Sequence, residues 1–430
     1  MRNHSSLVRS VRFSLSVLVF FFFLQTKAQN HTLAINVQNF PDSLSRKEIR
    51  IDPSSATLET PTAELFDSVV YVPLQTIKQS IFSGIDQMEV TRKCYVILDE
   101  SLNSIFLFTK DGKFYNKIVN SDKTVESSYK KIGKFVVDEK KEEISFLDPH
   151  SFYRFYYSFE GKYLRKTPKV ISGEDFYHMS TGLDIYLRSA NQMLYRSNKA
   201  FFESKPKEAT NSILVVDSLK KIRYGYLPLD TSIVALDDLY GVAQTFYNNH
   251  SGKITLSIPY NYNIYEIDSI GKMTSTYRFV LPAMNSLPND FMKNPIYKGN
   301  RISYLNNNKN AVYSITDFYQ GNKLVTFRLV NSMDLHNFLL YNLQTAELIS
   351  MIEIMPDHTC FKLPIVQRRI YGVADSNSFI SALSASTLFS AKEKLRKDKN
   401  WEKQLPQHLK NFYKGDQLQN PVLTLLYLKK

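Results

Sequence analysis

The sequence predicts an all-β fold: a six-bladed β-propeller of four-stranded antiparallel blades, closed by an N-terminal strand that pairs in the last blade. Three observations lead there. Apolar strand–turn–strand patterns recur along the chain, a further strand pair precedes most of them, and an orphan strand stands at each end. Composition agrees: the 430 residues hold 29 Phe and 27 Tyr but a single Trp, Trp401, and Phe and Tyr fit a pleated, half-buried surface. Hydrophobic residues make up 43 % and charged residues 22 %, the balance of a globular chain. With 14 Gly, the turns must draw on Asn, Asp, Lys and Ser.

The chain starts with a targeting signal. Arg2, Arg9 and Arg12 precede "FSLSVLVFFFFL" (Phe13 to Leu24), and "TKA" ends at Ala28. A cationic start, a short apolar stretch and a small-residue cleavage site describe a secretory signal peptide over 1–28, too short for a comfortable membrane span. No Cys lies near the cleavage site, so a lipoprotein anchor is not expected. Nothing later approaches 18 uninterrupted apolar residues, so the mature chain is expected to carry no transmembrane segment and to be periplasmic or extracellular. Residues 29–64 read as an N-terminal leader segment and 65–430 as the propeller domain.

After the orphan strand "FDSVVYVPLQTI" (Phe66 to Ile77), the hairpins follow in turn. "SIFLFTKDGKFYNKI" (Ser104 to Ile118) turns at Asp111-Gly112, and "FYRFYYSFEGKYLRK" (Phe152 to Lys166) turns at Glu160-Gly161-Lys162. "SILVVDSLKKIRYGYLP" (Ser212 to Pro228), "YNIYEIDSIGKMTSTYRFV" (Tyr262 to Val280) and "NFLLYNLQTAELISMIEI" (Asn337 to Ile354) repeat the form. Strand pairs precede them, including "KFVVDEKKEEISFLD" (Lys134 to Asp148) and "FYHMSTGLDIYLRS" (Phe176 to Ser189). The units run over 81–120, 131–170, 174–229, 238–281 and 309–354. A partial sixth has two strands in "RRIYGVADSNSFISALSA" (Arg368 to Ala385) and a stretch of helical spacing from Ser386 to Leu405. It ends in "NPVLTLLYLKK" (Asn420 to Lys430) and is one strand short. Four-stranded units in series describe propeller blades. Ring closure would then pair Phe66–Ile77 with Val422–Leu428 and remove two sticky edges.

On the strength of "SVVYVPLQT", "FTKDGKFYNKI" and "NPVLTLLYLKK", the chain resembles a secreted six-bladed β-propeller family of Bacteroidota, related to NHL-type propellers. The resemblance covers residues 60 to 430 and implies a fold and a central site, not an activity. The family's Gly/Pro-rich loop ending in Glu-Tyr is replaced here by Ile118 to Gly133, where only Glu126 and Tyr129 match it. The resemblance therefore implies an altered or lost central site.

Chemistry is sparse at this level. The net charge is +13, but the densest basic run, Lys392 to Lys403, is interleaved with Glu393, Asp398 and Glu402. That is a solvated helix face and no nucleic-acid partner is expected. Beyond the leader lie His31, His150, His178, His250, His336, His358 and His408, no two of them four apart, so no helical zinc pair forms. "DHTC" (Asp357 to Cys360) gathers metal-ligand types, yet neighbours on a strand point to opposite faces. Asp99, Asp138, Asp148, Asp237 and Asp238 close strands, where Asp usually organises a turn. No nucleophile elbow or phosphate-binding Gly loop appears. Catalytic residues and metal ligands are therefore expected to be none, and the ligand-binding residues and any cofactor are unknown. Cys94 in the first unit and Cys360 at the start of the sixth lie in blades that would be neighbours across the closure. Either a disulfide or two buried thiols fits.

The function expected is that of an exported, non-catalytic binding or interaction module. Its ligand would be a glycan or peptide at the central channel mouth, with a cell-envelope protein as a further partner. The alternative is a metal-assisted hydrolase or lyase at the same mouth. It requires three or more Asp, Glu, Asn or His side chains converging from different blades.

Overall fold

A computed structural model describes residues 44–429 except 121–125, 152, 168–185, 190–191, 197–210, 218–221, 229–238, 241–245, 250–251, 334–337 and 399. The chain first lays down β1 (Ser45–Arg50) and β2 (Phe66–Pro73), both of which join sheets built much later. The first sheet follows as β3 (Gln87–Val90), β4 (Cys94–Asp99), β5 (Ser104–Thr109) and β6 (Phe114–Ile118). A second holds β7 (Phe135–Asp138), β8 (Glu143–Leu147), β9 (Arg154–Ser158) and β10 (Tyr163–Lys166). The third is β11 (Tyr186–Ser189), β12 (Gln192–Arg196), β13 (Asn211–Asp217) and β14 (Ile222–Pro228). In the fourth are β15 (Phe246–Asn248), β16 (Ile254–Ser257), β17 (Asn263–Ile267) and β18 (Met273–Val280). A fifth comprises β19 (Ser314–Gln320), β20 (Leu324–Val330), β21 (Phe338–Asn342) and β22 (Leu348–Ser350). The last sheet has the order β2-β25-β24-β23, from β23 (Ile370–Asp375), β24 (Ser378–Leu383) and β25 (Val422–Leu428). Each of these four-stranded meanders is antiparallel throughout.

Burial along the strands explains why they stack. β4 is buried at every position and β5 at all but its last, whereas the outer strands β6 and β10 are mostly half-buried or exposed. Strands apolar on both faces must be covered on both faces. Val96, Leu98 and Leu107 of the first sheet accordingly pack on Phe146 and Phe155 of the second. Ile97 and Phe106 pack on Ile380 and Leu423 of the last. Ile213 and Val215 of the third meet Ile254 and Leu256 of the fourth, and Phe279 of the fourth meets Val325 and Phe327 of the fifth. The result is propeller-like, with sheets packed face to face.

The terminal strand is interior. β25 lies between β24 and β2, in register from Phe66↔Leu428 to Pro73↔Val422, with six of its seven residues buried. The expected partner is the one found. The insert before it, expected as one helical stretch from Ser386 to Leu405, is three helices: Ala385–Leu395, Trp401–Gln404 and Gln407–Phe412. Ser384 caps the first, its hydroxyl accepting from Thr387 N at 3.2 Å. Trp401 is buried beneath the insert and its indole N–H donates to Phe361 O at 2.6 Å.

Two expectations are corrected, and an open alternative is decided. The segment 29–64 is no bare leader: its described part adds β1 as a parallel fifth strand on the outer edge of β18. It then bridges Thr57 to Ile349 and Pro61 to Met355 before β2 joins the last sheet. "SRKEIR" buries only Ile49, so it has no apolar rhythm to betray a strand; edge pairing needs only its backbone. The third unit's inner pair is β11 with β12, later in sequence than Phe176 to Ser189, of which 176–185 lie outside the described residues. Of the two states that fit Cys94 and Cys360, the structure has the free, buried thiols. Each lies in an apolar cluster beside one threonine hydroxyl, Cys94 Sγ 3.4 Å from Thr91 Oγ1 and Cys360 Sγ 3.5 Å from Thr62 Oγ1.

The strand-closing aspartates hold loops. Asp99 ends β4 and accepts from Ser83 N at 2.6 Å and Leu102 N at 2.9 Å. Asp148 follows β8 and accepts from Lys130 N at 3.1 Å and His150 N at 3.0 Å. In both sheets the carboxylate ties the approach to the innermost strand back to the end of the next strand. Burial raises each pKa, but the gathered donors outweigh it and leave both below the usual carboxylate value. Asp138 sits 3.9 Å from Lys141 Nζ, while Asp237 and Asp238 lie outside the described residues.

Deleting residues 422–430 should abolish the soluble, cooperatively folded protein. Five buried Val and Leu side chains of β25, at roughly 1.5–3 kcal/mol each, carry as much free energy as a whole domain's net stability. A truncated protein with unchanged melting temperature and solubility refutes this. A thiol reagent should leave both cysteines untouched in the native protein and label both in denaturant, since burial also raises their pKa values. Native labelling at either position contradicts it.

Candidate functional site

The first strand of each sheet lies innermost. β3 neighbours β23, β7 neighbours β11, and β19 neighbours both β15 and β23. Between β3 and β7 a side chain does the joining. Gln87 Nε2 donates to Phe135 O at 2.7 Å and Gln87 Oε1 accepts from Phe135 N at 2.9 Å, so one amide mimics a strand pair. Residues of β3, β7, β15, β19 and β23 and their flanking loops line a cavity of about 580 Å³, reached by Glu89, Lys110, Asn248, Tyr319, Arg369 and Tyr371 among others.

A polar bridge spans it. Asn248 Nδ2 on the fourth sheet donates to Glu89 Oε2 on the first at 2.7 Å. Glu89 is half-buried, walled by protein and open only to the cavity. Burial raises its pKa to about 7, with Asn248 and Gln87 pulling the other way. It therefore exchanges its proton near neutral pH, the range that acid–base chemistry requires.

Arg369 forms the adjoining wall. Its Nη1 is 3.8 Å from Asp317 Oδ1, its guanidinium sits 4.8 Å from the Tyr371 ring centroid, and Nη2 donates to Asp86 O at 3.3 Å. Asp317 is buried, and burial raises its pKa against the opposing pull of Arg369 and Arg328. Its φ of 53° lies in the left-handed region, where the β19–β20 register shifts between Thr316 and Tyr319. That irregularity lets the charge turn inward while Tyr319 stays in the wall, its ring edge-on to Tyr247 at 5.5 Å. Asn249 ties the fourth sheet to the fifth, accepting from Gln320 N at 2.7 Å and donating to Thr255 Oγ1 at 2.8 Å.

At the rim, Arg92 pairs with Glu139 at 3.2 Å. Lys110 Nζ donates to Thr91 O at 3.0 Å and stands 4.4 Å over the Tyr95 ring. Among the described residues no carboxylate lies within ion-pair distance of Lys110 Nζ, and burial lowers its pKa.

The residues singled out from sequence lie elsewhere. His150, His358 and His408 are exposed outside the cavity, while His31, His178, His250 and His336 fall outside the described residues. Asp357 Oδ1 accepts from Thr359 N at 2.8 Å and Oδ2 from Ala63 N at 2.6 Å, so "DHTC" anchors the N-terminal segment. Tyr129 is buried between the first and second sheets against Phe146, and Glu126 is exposed. Among the described residues no group of three His, Cys, Asp or Glu could hold a metal ion. What sequence reasoning missed was Glu89, Asn248, Asp317 and Arg369. A faint signal existed: charges within or beside the first strand of a unit, as in "QMEV" and "SITDFYQ".

Comparison with known proteins matches residues 48–427 to the family described as "Domain of unknown function (DUF4934)". No curated protein matches. Among solved structures, one of a Bacteroides fragilis protein inferred to be exported is 16% identical with a TM-score of 0.62, covering 89% of this chain and 100% of its own. At that identity the likeness shows the fold alone. A DUF4221 family member from Bacteroides vulgatus is 11% identical with a TM-score of 0.46, covering 85% of this chain and 97% of its own. Virginiamycin B lyase from Staphylococcus aureus is 12% identical with a TM-score of 0.33, covering 65% of this chain and 73% of its own. No helix among the described residues is long and apolar enough to cross a membrane.

The raised pKa of Glu89 makes stability depend on pH with a definite sign. The folded state binds the extra proton, so stability falls as pH rises from about 4.5 to about 7 and is then flat. Glu89→Gln removes this term. Its stability relative to the natural protein should improve between pH 5 and pH 8 by about 1–2 kcal/mol, discounted because water reaches the cavity. Denaturant titrations at the two pH values check it, and a pH-independent difference refutes it.

Proposed function

The chain belongs to the DUF4934 family, and on that premise we propose an exported six-bladed β-propeller that acts as a non-catalytic binding module. Six sheets with four-stranded antiparallel meanders support the blade count, and the packing of the last sheet on the first supports a closed ring. Export is supported by the cationic and apolar stretches before Ala28 and by the exported assignment of the Bacteroides fragilis structure. One observation carries the function: innermost strands from separate sheets direct Glu89, Asn248, Arg369 and Tyr371 into one cavity of about 580 Å³. A concave site with a few convergent polar groups is where ligands bind. The ligand class is a glycan or a peptide, and a cell-envelope protein is the natural further partner of an exported module.

One observation favours a second reading. Glu89 titrates at about 7 beside an amide donor, the setting of a general acid–base in a hydrolase or lyase. A metal-assisted version needs further ligands at the cavity.

Residues 29–430 should be screened against glycan and peptide arrays, with Glu89→Gln and Asn248→Ala as controls. Binding without turnover, weakened by Asn248→Ala, is the expected result. Turnover of a bound compound that Glu89→Gln abolishes establishes the second reading. No binding on either array removes the first.

A further inference from the structure

The charges around the cavity are unevenly disposed. Arg92 is offset by Glu139, and Arg369 by the buried Asp317 behind it. Lys110 is held by a carbonyl and a ring, neither of which neutralises it. Arg369 is likewise fixed by a ring and a carbonyl, and its side chain remains 27% exposed. Two immobilised cations on the first and last sheets thus border one cavity, whose fourth-sheet side presents Asn248.

Building on the binding-module reading, we propose that this cavity recognises an acidic sugar, a uronate within a glycan. Its carboxylate would lie against Lys110 and Arg369, and its hydroxyls against Asn248 and Glu89. A carboxylate fits a fixed guanidinium with charge-assisted hydrogen bonds. The Asn248 amide and the Glu89 carboxyl supply the paired donors and acceptors that vicinal hydroxyls need, and the rings of Tyr319 and Tyr371 offer apolar faces.

Glu89 then governs affinity. The charged groups around it are Lys110 and Arg92 on its own sheet, Glu139 on the second, Asp317 on the fifth and Arg369 on the last. Tyr319 and Tyr371 stay neutral because burial raises their pKa values. Below about pH 7 Glu89 is neutral and donates to a sugar oxygen; above it, the carboxylate repels the ligand's own. Affinity for the uronate should fall as pH rises.

Calorimetry on residues 29–430 tests this with tri-galacturonate, its neutral counterpart galactotriose, and a dipeptide bearing a free C-terminal carboxylate. Tri-galacturonate should bind at least about tenfold more tightly than galactotriose, a difference Lys110→Met should largely remove. Its affinity should drop between pH 6 and pH 8, and Glu89→Gln should erase that drop. A single cooperative thermal transition confirms that each variant folds. Equal binding of galactotriose, tighter binding of the dipeptide, or a pH profile that Glu89→Gln leaves intact overturns the uronate assignment while the binding module stands. Silence from all three probes, with hits on the arrays, overturns the assignment alone; silence on the arrays as well removes the module.

Discussion

The antiparallel pairing of β2 with β25 is the interaction on which the rest depends. It joins residues 349 to 362 positions apart, from Pro73↔Val422 to Phe66↔Leu428, inside a sheet that also holds β23 and β24. Through Leu423 and Leu425 that sheet packs on the first, and through Leu426 and Leu428 it joins the largest apolar cluster, with residues of the fifth. Strands from early and late in the described residues are thus committed to one layer. The N-terminal segment extends the commitment, crossing the outer edges of the fourth and fifth sheets on its way to the last. Bringing distant segments together costs loop entropy that only their burial can offset.

That arrangement also creates the centre. With apolar faces buried between sheets, the innermost strands have one side with no sheet to pack on, and polar groups collect there. Gln87 stitches two inner strands, and the Asn248–Glu89 bridge spans two sheets across the cavity. Asp317 is the extreme case: a buried acid on left-handed backbone, held opposite Arg369. Burying such groups costs stability unless they are paired, and a concentration of them at one cavity is a reason to look for function there. The same physics explains Asp99 and Asp148, which are equally buried but saturated by backbone donors and therefore structural.

Much of the fold was legible in the sequence. Hairpins betrayed themselves through apolar runs around turns such as Asp111-Gly112, and the fully buried β4 and β25 were conspicuous. β1 was not, because a polar edge strand needs only its backbone to pair. The third sheet's inner pair was misplaced because β11 and β12 are short and carry no strong alternation. For the cysteines, membership of neighbouring sheets was not enough. Cys94 starts β4 and Cys360 sits in a turn against Thr62, each with its own local partners.

The sequence by itself determined the class of the fold, the recurring four-stranded unit and the partner of the last strand. Those follow from periodicity and from apolar runs that must be covered, which are local properties. Only the tertiary structure decided where the chemistry lies. Glu89, Asn248, Asp317 and Arg369 come from four different sheets, and no spacing along the chain relates them. Their proximity, and the burial that brings Glu89 to a pKa of about 7, exist only once the inner strands converge.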